Sequence, residues 1–450
     1  MTAEVASEER KISAARRTAV GVFGVRVVSA GLVFLLQIVL ARWLGVADYG
    51  HYVALWAAVL VAGGLSHLGL SVAMMRLVPE YAAKKDFAHL RGILFGGRLL
   101  AASLGLAVAL LGGLALYLLS DRFDPELTGA IVLALACLPM YALCDVQDAL
   151  GRGQSWTFEA IVPPYIVRPL LILGAVGVAF LAGYSASVPM AMAAALLALW
   201  ISGLAQTLLI ERRVSAEVPE ARPEYAFRYW LAIALPLLAV TGAELVLQNA
   251  DVLLLNLLGS PTEAGLYYAA AKTASLAFFV HYAVGSAYAG RITAAGALAD
   301  HHELKRVVRE AVVMTFWPTF ALLVAILALG LPILMLFGTD FGAAYPYMFI
   351  VAIGVLGRAA MGPSEVVLNM LDQHRACAKS YVSAAAVSIA LNVLLIPKFG
   401  AYGASIATAT AFTTAAVLNW RAARNKLGLE LFVFGGALHG VLNPGADAGE

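Results

Sequence analysis

Stretches of about 20 predominantly apolar residues follow one another along almost the whole chain, and no other feature narrows the fold as much. A helix of that length crosses a hydrocarbon core of about 30 Å. Charged residues make up only 13% of the chain, where a soluble domain carries about 25%. The sequence therefore reads as an all-α polytopic membrane protein. Twelve spans are expected, near 20–44, 50–75, 97–119, 127–150, 160–183, 186–210, 229–258, 265–290, 311–338, 342–371, 380–397 and 400–421. The polar start, "MTAEVASEERKISAARR", is not a cleavable signal peptide, because the apolar run behind it is too long and lacks a small-residue cleavage site. The late "LFVFGGALHGVL" is too short to span and is expected to be interfacial or loosely packed.

Orientation follows from Lys and Arg. Placing the amino terminus, every second loop and the carboxyl terminus on one side puts 23 of the 30 basic residues there. The other side keeps Arg42, Arg122 and Lys398, and four lie within spans: Arg26, Arg168, Lys272 and Arg358. Basic loops stay in the cytoplasm, so both termini are expected inside, in a cytoplasmic (inner) membrane.

The chain also repeats itself. "LARWLGVADYGHYVAL" (40–55) and "LLNLLGSPTEAGLYYAA" (254–270) both read Leu-Gly, a short polar turn, then Gly-x-Tyr. His67 precedes His281 by 214 residues, "DFAHLRGIL" precedes "DHHELKRVV" by 214, and "YSASVPMAMA" precedes "YGASIATATA" by 218. Four matches in one order at nearly one offset imply two six-span halves. Six is even, so both halves enter the membrane in the same sense, a parallel repeat. The expected organisation is a cytoplasmic segment 1–19, an N-lobe 20–210, a cytoplasmic linker 211–228, a C-lobe 229–421 and a cytoplasmic tail 422–450. The repeated turn reads as a tight outer hairpin, with Tyr52 and Tyr267 at interfacial depth.

"ARWLGVADYGHY", "GLSVAMMRLVPEYAAKKD", "DVLLLNLLGSPTEAGLYYAAAK" and "PKFGAYGASIATA" together resemble the Wzx-type oligosaccharide-lipid flippases, the polysaccharide branch of the multidrug/oligosaccharidyl-lipid/polysaccharide exporter superfamily. The resemblance covers roughly 20–420. It implies two six-helix lobes around a central cavity lined mainly by spans 1, 2, 7 and 8, alternating access, and substrates such as polyprenyl-diphosphate sugars. It further implies a role in cell-surface polysaccharide biosynthesis, beside other polysaccharide assembly proteins.

Such a head group has to pass a core in which a bare charge costs at least a few kcal/mol. Ionisable residues inside spans are therefore the candidates. Arg26 either snorkels to the inner interface or contacts the diphosphate, for which a guanidinium fork is suited. Glu244, Gln248 and Asp251 share one face of span 7. Asp251 and Lys272 lie at similar depth across the outer hairpin, so an ion pair is expected, either pinning the hairpin or opened by substrate or ion. The reading assigns Arg26 and Lys272 to substrate, Glu244 to proton carriage, and Asp251 with Gln248 to gating or Na⁺ coordination. The bland alternative for span 7 is a packing face. His67 and His281 either relay protons or hydrogen-bond between helices. Arg358 with Glu365 reads as a structural pair in span 10. Arg168, beside the prolines of "VPPYIVRP", reads as a cap on freed carbonyls of a bent helix.

Other chemistry has little footing. Cys137, Cys144 and Cys377 form no CxxC, and no zinc spacing, Walker loop or nucleophile motif occurs. No cofactor, metal or nucleic acid is expected, and the coupling ion, where there is one, is H⁺ or Na⁺. An enzyme acting on lipid-linked sugars would hold catalytic groups in sizeable outer loops, whereas these are short. The nearer rival is a cation-coupled multidrug exporter, whose cavity would favour acids over bases.

Overall fold

The computed structural model describes residues 2–119, 124–298 and 300–435, with side chains from Gly21 onward except at 22 and 23. Side chains of the amino-terminal segment, Arg122, and the tail beyond Gly435 lie outside the described residues. Among the described residues every regular element is helical. In order these are α1 (Thr2–Leu44), α2 (Val46–Ser66), α3 (Leu70–Ala83), α4 (Phe87–Gly92), α5 (Arg98–Leu118), α6 (Pro125–Gly153), α7 (Thr157–Val162), α8 (Arg168–Leu181) and α9 (Val188–Glu217). There follow α10 (Phe227–Leu258), α11 (Pro261–Ser275), α12 (Phe278–Ala297), α13 (His301–Ala328), α14 (Gly330–Phe337), α15 (Tyr345–Ala360), α16 (Ser364–Met370) and α17 (His374–Leu427). Five-residue π-helical turns join α4 to α5 and α7 to α8.

Helix starts follow the sequence. Asp86 caps α4 by accepting from the His89 amide. Asp300, 214 residues later, caps α13 by accepting from the amides of His302 and Glu303. The repeated "D…" motif is thus a repeated N-cap. Ser260 caps α11 by accepting from the Glu263 amide at 3.2 Å, Pro261 takes the first helical position, and the Ser260 hydroxyl donates to the Glu263 carboxylate at 3.4 Å.

Ten helical stretches among the described residues are long and apolar enough to cross a membrane, against twelve expected. Both differences have local causes. The expected span 265–290 is divided into α11 and α12 by a break at 276–277, and neither piece joins sufficient length to sufficient apolarity. The expected spans 380–397 and 400–421 run together in α17, whose backbone leaves helical angles at Gly400 (φ 52°, ψ −129°). Ala384, Ala385, Ala411 and Ala415 nevertheless share one buried cluster with Ala243 and Leu247. Along a straight helix Ala384 and Ala411 would stand about 40 Å apart, so the chain folds back at Gly400. A Cβ there would also meet the Glu263 carboxylate at 2.0 Å, and only glycine fits both demands.

The chain divides into two compact units. The first holds residues 1–48 and 55–238, the second 49–54 and 239–450. In the first, Leu70, Met74, Leu77, Ile93, Leu150 and Trp230 belong to one buried cluster. The expected linker 211–228 belongs to this unit. Its start continues α9, and the rest is laid on α4, where Arg91 donates to the carbonyls of Val218 and Pro219 at 2.9 Å each and the Glu224 amide to Ala88 at 3.0 Å. In the second unit, Ile292, Val308, Val312, Val367 and Ala423 form a buried cluster that Leu429, Leu431 and Val433 complete. The Val433 amide bonds Ala360 O at 2.9 Å, so the tail, expected to be loose, is packed as far as it is described.

The repeated turn is a packing device within the second unit. A Cβ on Gly50 would stand 1.8 Å from the Pro261 carbonyl oxygen and 3.0 Å from the Gly265 nitrogen. Gly50 and Gly265 are the matched glycines of the two copies. Tyr52 and Tyr267 are 2% and 0% exposed, so their rings are packed inside the protein.

Candidate functional site: buried polar clusters in each unit

In the first unit, Arg26 on α1 places its guanidinium carbon 4.2 Å from the centroid of the Tyr165 ring and within electrostatic reach of Asp148. Asp148 pairs with Arg152 one turn on, at 2.7 Å. His67, in the turn between α2 and α3, brings Nε2 to 2.8 Å from Asp145 Oδ2 on α6. Ser71 also bonds Asp145. Arg168 lies in the π-helical region created by "VPPYIVRP". Its own amide bonds back to Pro163 O, so in this register Pro164 O would need the amide of residue 169, a proline that has none. The Arg168 side chain supplies the missing donors, Nε at 3.2 Å and Nη2 at 3.0 Å from Pro164 O. The capping role expected of it is what the geometry gives, with the guanidinium carbon 5.9 Å from the Trp56 ring centroid as well.

In the second unit the stripe on α10 is divided. Glu244 and Gln248 are exposed, with Gln248 Nε2 donating to Glu244 at 3.4 Å. Asp251 is buried under α11 and α17 and accepts from the Tyr267 hydroxyl, from the Thr408 hydroxyl at 3.0 Å and from the Val252 amide at 2.8 Å. The expected ion pair with Lys272 is absent among the described residues. Depth across the hairpin was matched, but rotation was not. Lys272 lies five residues beyond Tyr267, about 140° further round α11, so when Tyr267 contacts Asp251 the lysine stays within electrostatic reach of the carboxylate but not at contact distance. Its ammonium instead lies 5.0 Å from the Tyr268 ring centroid, and that ring takes an edge contact from Tyr49.

Arg358 and Glu365 do pair, at 2.5 Å, and the pair is the centre of a larger cluster. The Tyr381 hydroxyl donates to Glu365 at 2.5 Å, Arg358 donates to Tyr381 at 3.3 Å and lies over Phe278, and His281 Nε2 approaches Glu365 at 3.3 Å. Glu244 is within electrostatic reach of both Arg358 and Glu365. The sequence reading missed Asp145, Tyr381, Thr408 and the polar role of Tyr267. Asp145 stands in span 4 as the first acid of "DVQD", an intramembrane charge that deserved the question put to the others. No group of three or more His, Cys, Asp or Glu residues that could hold a metal ion occurs among the described residues.

The family described as "Polysaccharide biosynthesis protein" matches residues 18–288. No curated protein matches the chain. Among solved structures, the chain is similar to an inward-facing multidrug resistance MATE family transporter of the MOP superfamily, at 12% identity and TM-score 0.71, over 89% of this chain and 94% of that one. It is also similar to the lipid II flippase MurJ in an inward closed conformation, at 13% identity and TM-score 0.69, over 89% of this chain and 87% of that one. A third likeness is to a MOP superfamily transporter from Pyrococcus furiosus described as having a binding pocket of reverse polarity, at 13% identity and TM-score 0.64, over 91% and 95%. At these identities the likenesses establish a fold, that of the MOP transporters.

Proposed function

The chain belongs to the polysaccharide biosynthesis protein family, and on that premise we propose that it is a flippase for lipid-linked oligosaccharide. The cargo is a polyprenyl-diphosphate glycan, moved from the cytoplasmic to the outer leaflet by alternating access for cell-surface polysaccharide synthesis. It is not an enzyme, and it works in the inner membrane with both termini cytoplasmic, alongside other polysaccharide assembly proteins. The family match over 18–288 carries this reading, because the fold alone is shared with drug transporters.

The site chemistry supports it. The cargo has an anionic diphosphate, a polar glycan and an apolar tail. Arg26 and Lys272 are cations held over tyrosine rings, and Lys272 makes no ion pair among the described residues. A cation held over a ring keeps its charge, which can then meet a phosphate. Glu244 and Gln248 are exposed on a membrane helix, where polar side chains face water in preference to lipid, so a wet path along α10 follows. In this reading Arg26 and Lys272 hold the head group. Glu244, Gln248 and Asp251 respond to the coupling ion, H⁺ or Na⁺, and of the two repeat-matched histidines, His67 and His281, the first assists in proton relay.

The test is transport. The purified protein in lipid vesicles is given a fluorescent polyprenyl-diphosphate oligosaccharide, and a membrane-impermeant quencher reports the leaflet it occupies. The proposal expects flipping by the wild type and its loss in Arg26→Ala and Lys272→Ala at equal protein levels. Movement of cationic dyes with no movement of the glycolipid would replace it with the multidrug reading.

A further inference from the structure

The two histidines matched by the repeat each meet a carboxylate that the repeat also matches. His67 approaches Asp145 at 2.8 Å, and His281 approaches Glu365 at 3.3 Å. The histidines are 214 residues apart and the acids 220, so the pairs join α6 to the end of α2 in one unit and α16 to α12 in the other. Both imidazoles are deeply buried, with side chains 2% and 9% exposed.

The surroundings of the two acids differ. Glu365 has Arg358 at 2.5 Å and the Tyr381 hydroxyl beside it. A guanidinium does not give up its proton in a protein, so the charge of Glu365 is balanced whatever His281 does. Asp145 makes no arginine or lysine ion pair among the described residues. Arg152, the cation nearest along α6, is engaged with Asp148 at 2.7 Å. Ser71 gives Asp145 a hydrogen bond but no charge. The other groups facing it are Tyr141 and Cys144 on α6, and Asp148, which Arg26 of α1 faces in turn. Of these, only His67 can supply a compensating charge at contact distance. Arg358 with Glu365 sums to zero when His281 is neutral. Asp145 with His67 sums to zero when the pair holds one proton more than a carboxylate beside a neutral imidazole. The buried member of the first pair is the imidazole, while the Asp145 side chain is 38% exposed, so the charge that most needs a partner on the spot is one on His67, and the carboxylate at 2.8 Å provides it.

We propose that His67 and Asp145 form the proton-binding site of the first unit, and that Arg358 has turned its repeat counterpart, His281 with Glu365, into a fixed structural pair. The site itself stands on geometry alone; its use in coupling rests on the transporter reading, and there it adds a proton site on α6 to the ion-responsive group on α10. When the pair is closed, imidazole and carboxylate can hold one proton between them. Any rearrangement that separates the two, or that brings another cation to Asp145, frees it.

The experiment has two arms on the full-length protein in lipid vesicles. In the first, histidine side chains labelled with ¹⁵N are followed by solid-state NMR from about pH 5 to pH 9, with signals assigned from His67→Gln and His281→Gln. His67 should pass between imidazolium and neutral imidazole, while His281 stays neutral. Asp145→Asn should move the His67 transition and leave the His281 signal as it is. Should His67→Gln fail to fold, Asp145→Asn, which keeps the shape of the side chain, carries the arm by itself. A His67 signal fixed in one form, or a transition unmoved by Asp145→Asn, overturns the proposal. In the second arm, glycolipid flipping is measured under an imposed proton gradient. His67→Gln and Asp145→Asn should lose the response to the gradient and His281→Gln should keep it. Flipping that responds normally in Asp145→Asn overturns the coupling role. A titration as expected without glycolipid movement in the wild type leaves the proton site standing and defeats the flippase reading.

Discussion

Tyr267→Phe removes one hydroxyl and almost no volume, and the structure sets what that should cost. Asp251 is 7% exposed and makes no ion pair among the described residues. Three hydrogen bonds therefore replace its water: the Val252 amide, the Thr408 hydroxyl and the Tyr267 hydroxyl. Ordinary hydrogen bonds between membrane helices average about 0.6 kcal/mol, with a ceiling near 1.7. Bonds to a charged group contribute about 1.5–3 kcal/mol, and leaving such a group short of a partner carries its desolvation penalty. If Asp251 is ionised the second class applies, and Tyr267→Phe should cost about 2 kcal/mol. In a unit of about 200 residues that lowers Tm by about 4–8 °C. Thr408→Val should cost somewhat less. Because the two hydroxyls are also bonded to each other at 2.8 Å, the double variant should cost less than the sum of the singles. The assay is thermal unfolding of the purified protein in one fixed detergent, with Tyr282→Phe, at an exposed ring, as control. A shift for Tyr267→Phe no larger than the control would refute the assignment of Asp251 as a charge solvated by hydroxyls.

Three further outcomes follow from other parts of the molecule. Gly400→Ala forces a side chain into φ 52°, ψ −129° against Glu263, a conformation that costs about 1–3 kcal/mol, so folded yield should fall; adding Glu263→Ala should relieve the collision and not the backbone strain. With both termini cytoplasmic, a cysteine placed at Ser260 should react with an impermeant reagent applied outside and one at Ser215 should not, and the reverse pattern would invert the orientation. Glu244→Gln and Asp251→Asn should each reduce flipping driven by a proton or sodium gradient several-fold, and wild-type rates in both would remove α10 from coupling.

The fold was legible because its signals are additive over long windows. Apolar runs gave the spans, and the breaks that changed the count lie at residues where one local choice decides: Gly400 in α17, and the 276–277 step between α11 and α12. Arg168 was legible for the same reason, since the prolines that free a carbonyl and the donor that satisfies it are neighbours in sequence. The polar clusters were legible in part. Helical spacing placed Glu244, Gln248 and Asp251 on one face, but not where along that face α11 and α17 cover it. Depth paired Asp251 with Lys272, but a tyrosine five residues away had the right rotation. Thr408 lies 157 residues from Asp251, and a hydroxyl among many has no pattern to mark it.

The repeat explains which features had to stay alike and which were free to diverge. Asp86 and Asp300 begin equivalent helices, and Gly50 and Gly265 let equivalent turns approach closely; substitution at either type of position disrupts backbone geometry in that half directly. A buried charge pair is under a weaker condition, because it needs balance and not a particular partner. One half balances its span-10 acid with Arg358, and the other leaves the matching acid to His67. Exposed polar residues are likewise on one side only: α10 carries Glu244 and Gln248, while the matching stretch of α1, "GLVFLLQIVL", offers Gln37 alone, and that is buried. The two halves of the repeat share one helical scaffold, and the chemistry was then written into them separately. Substitutions at matched positions should accordingly have matched effects on folding and unmatched effects on transport.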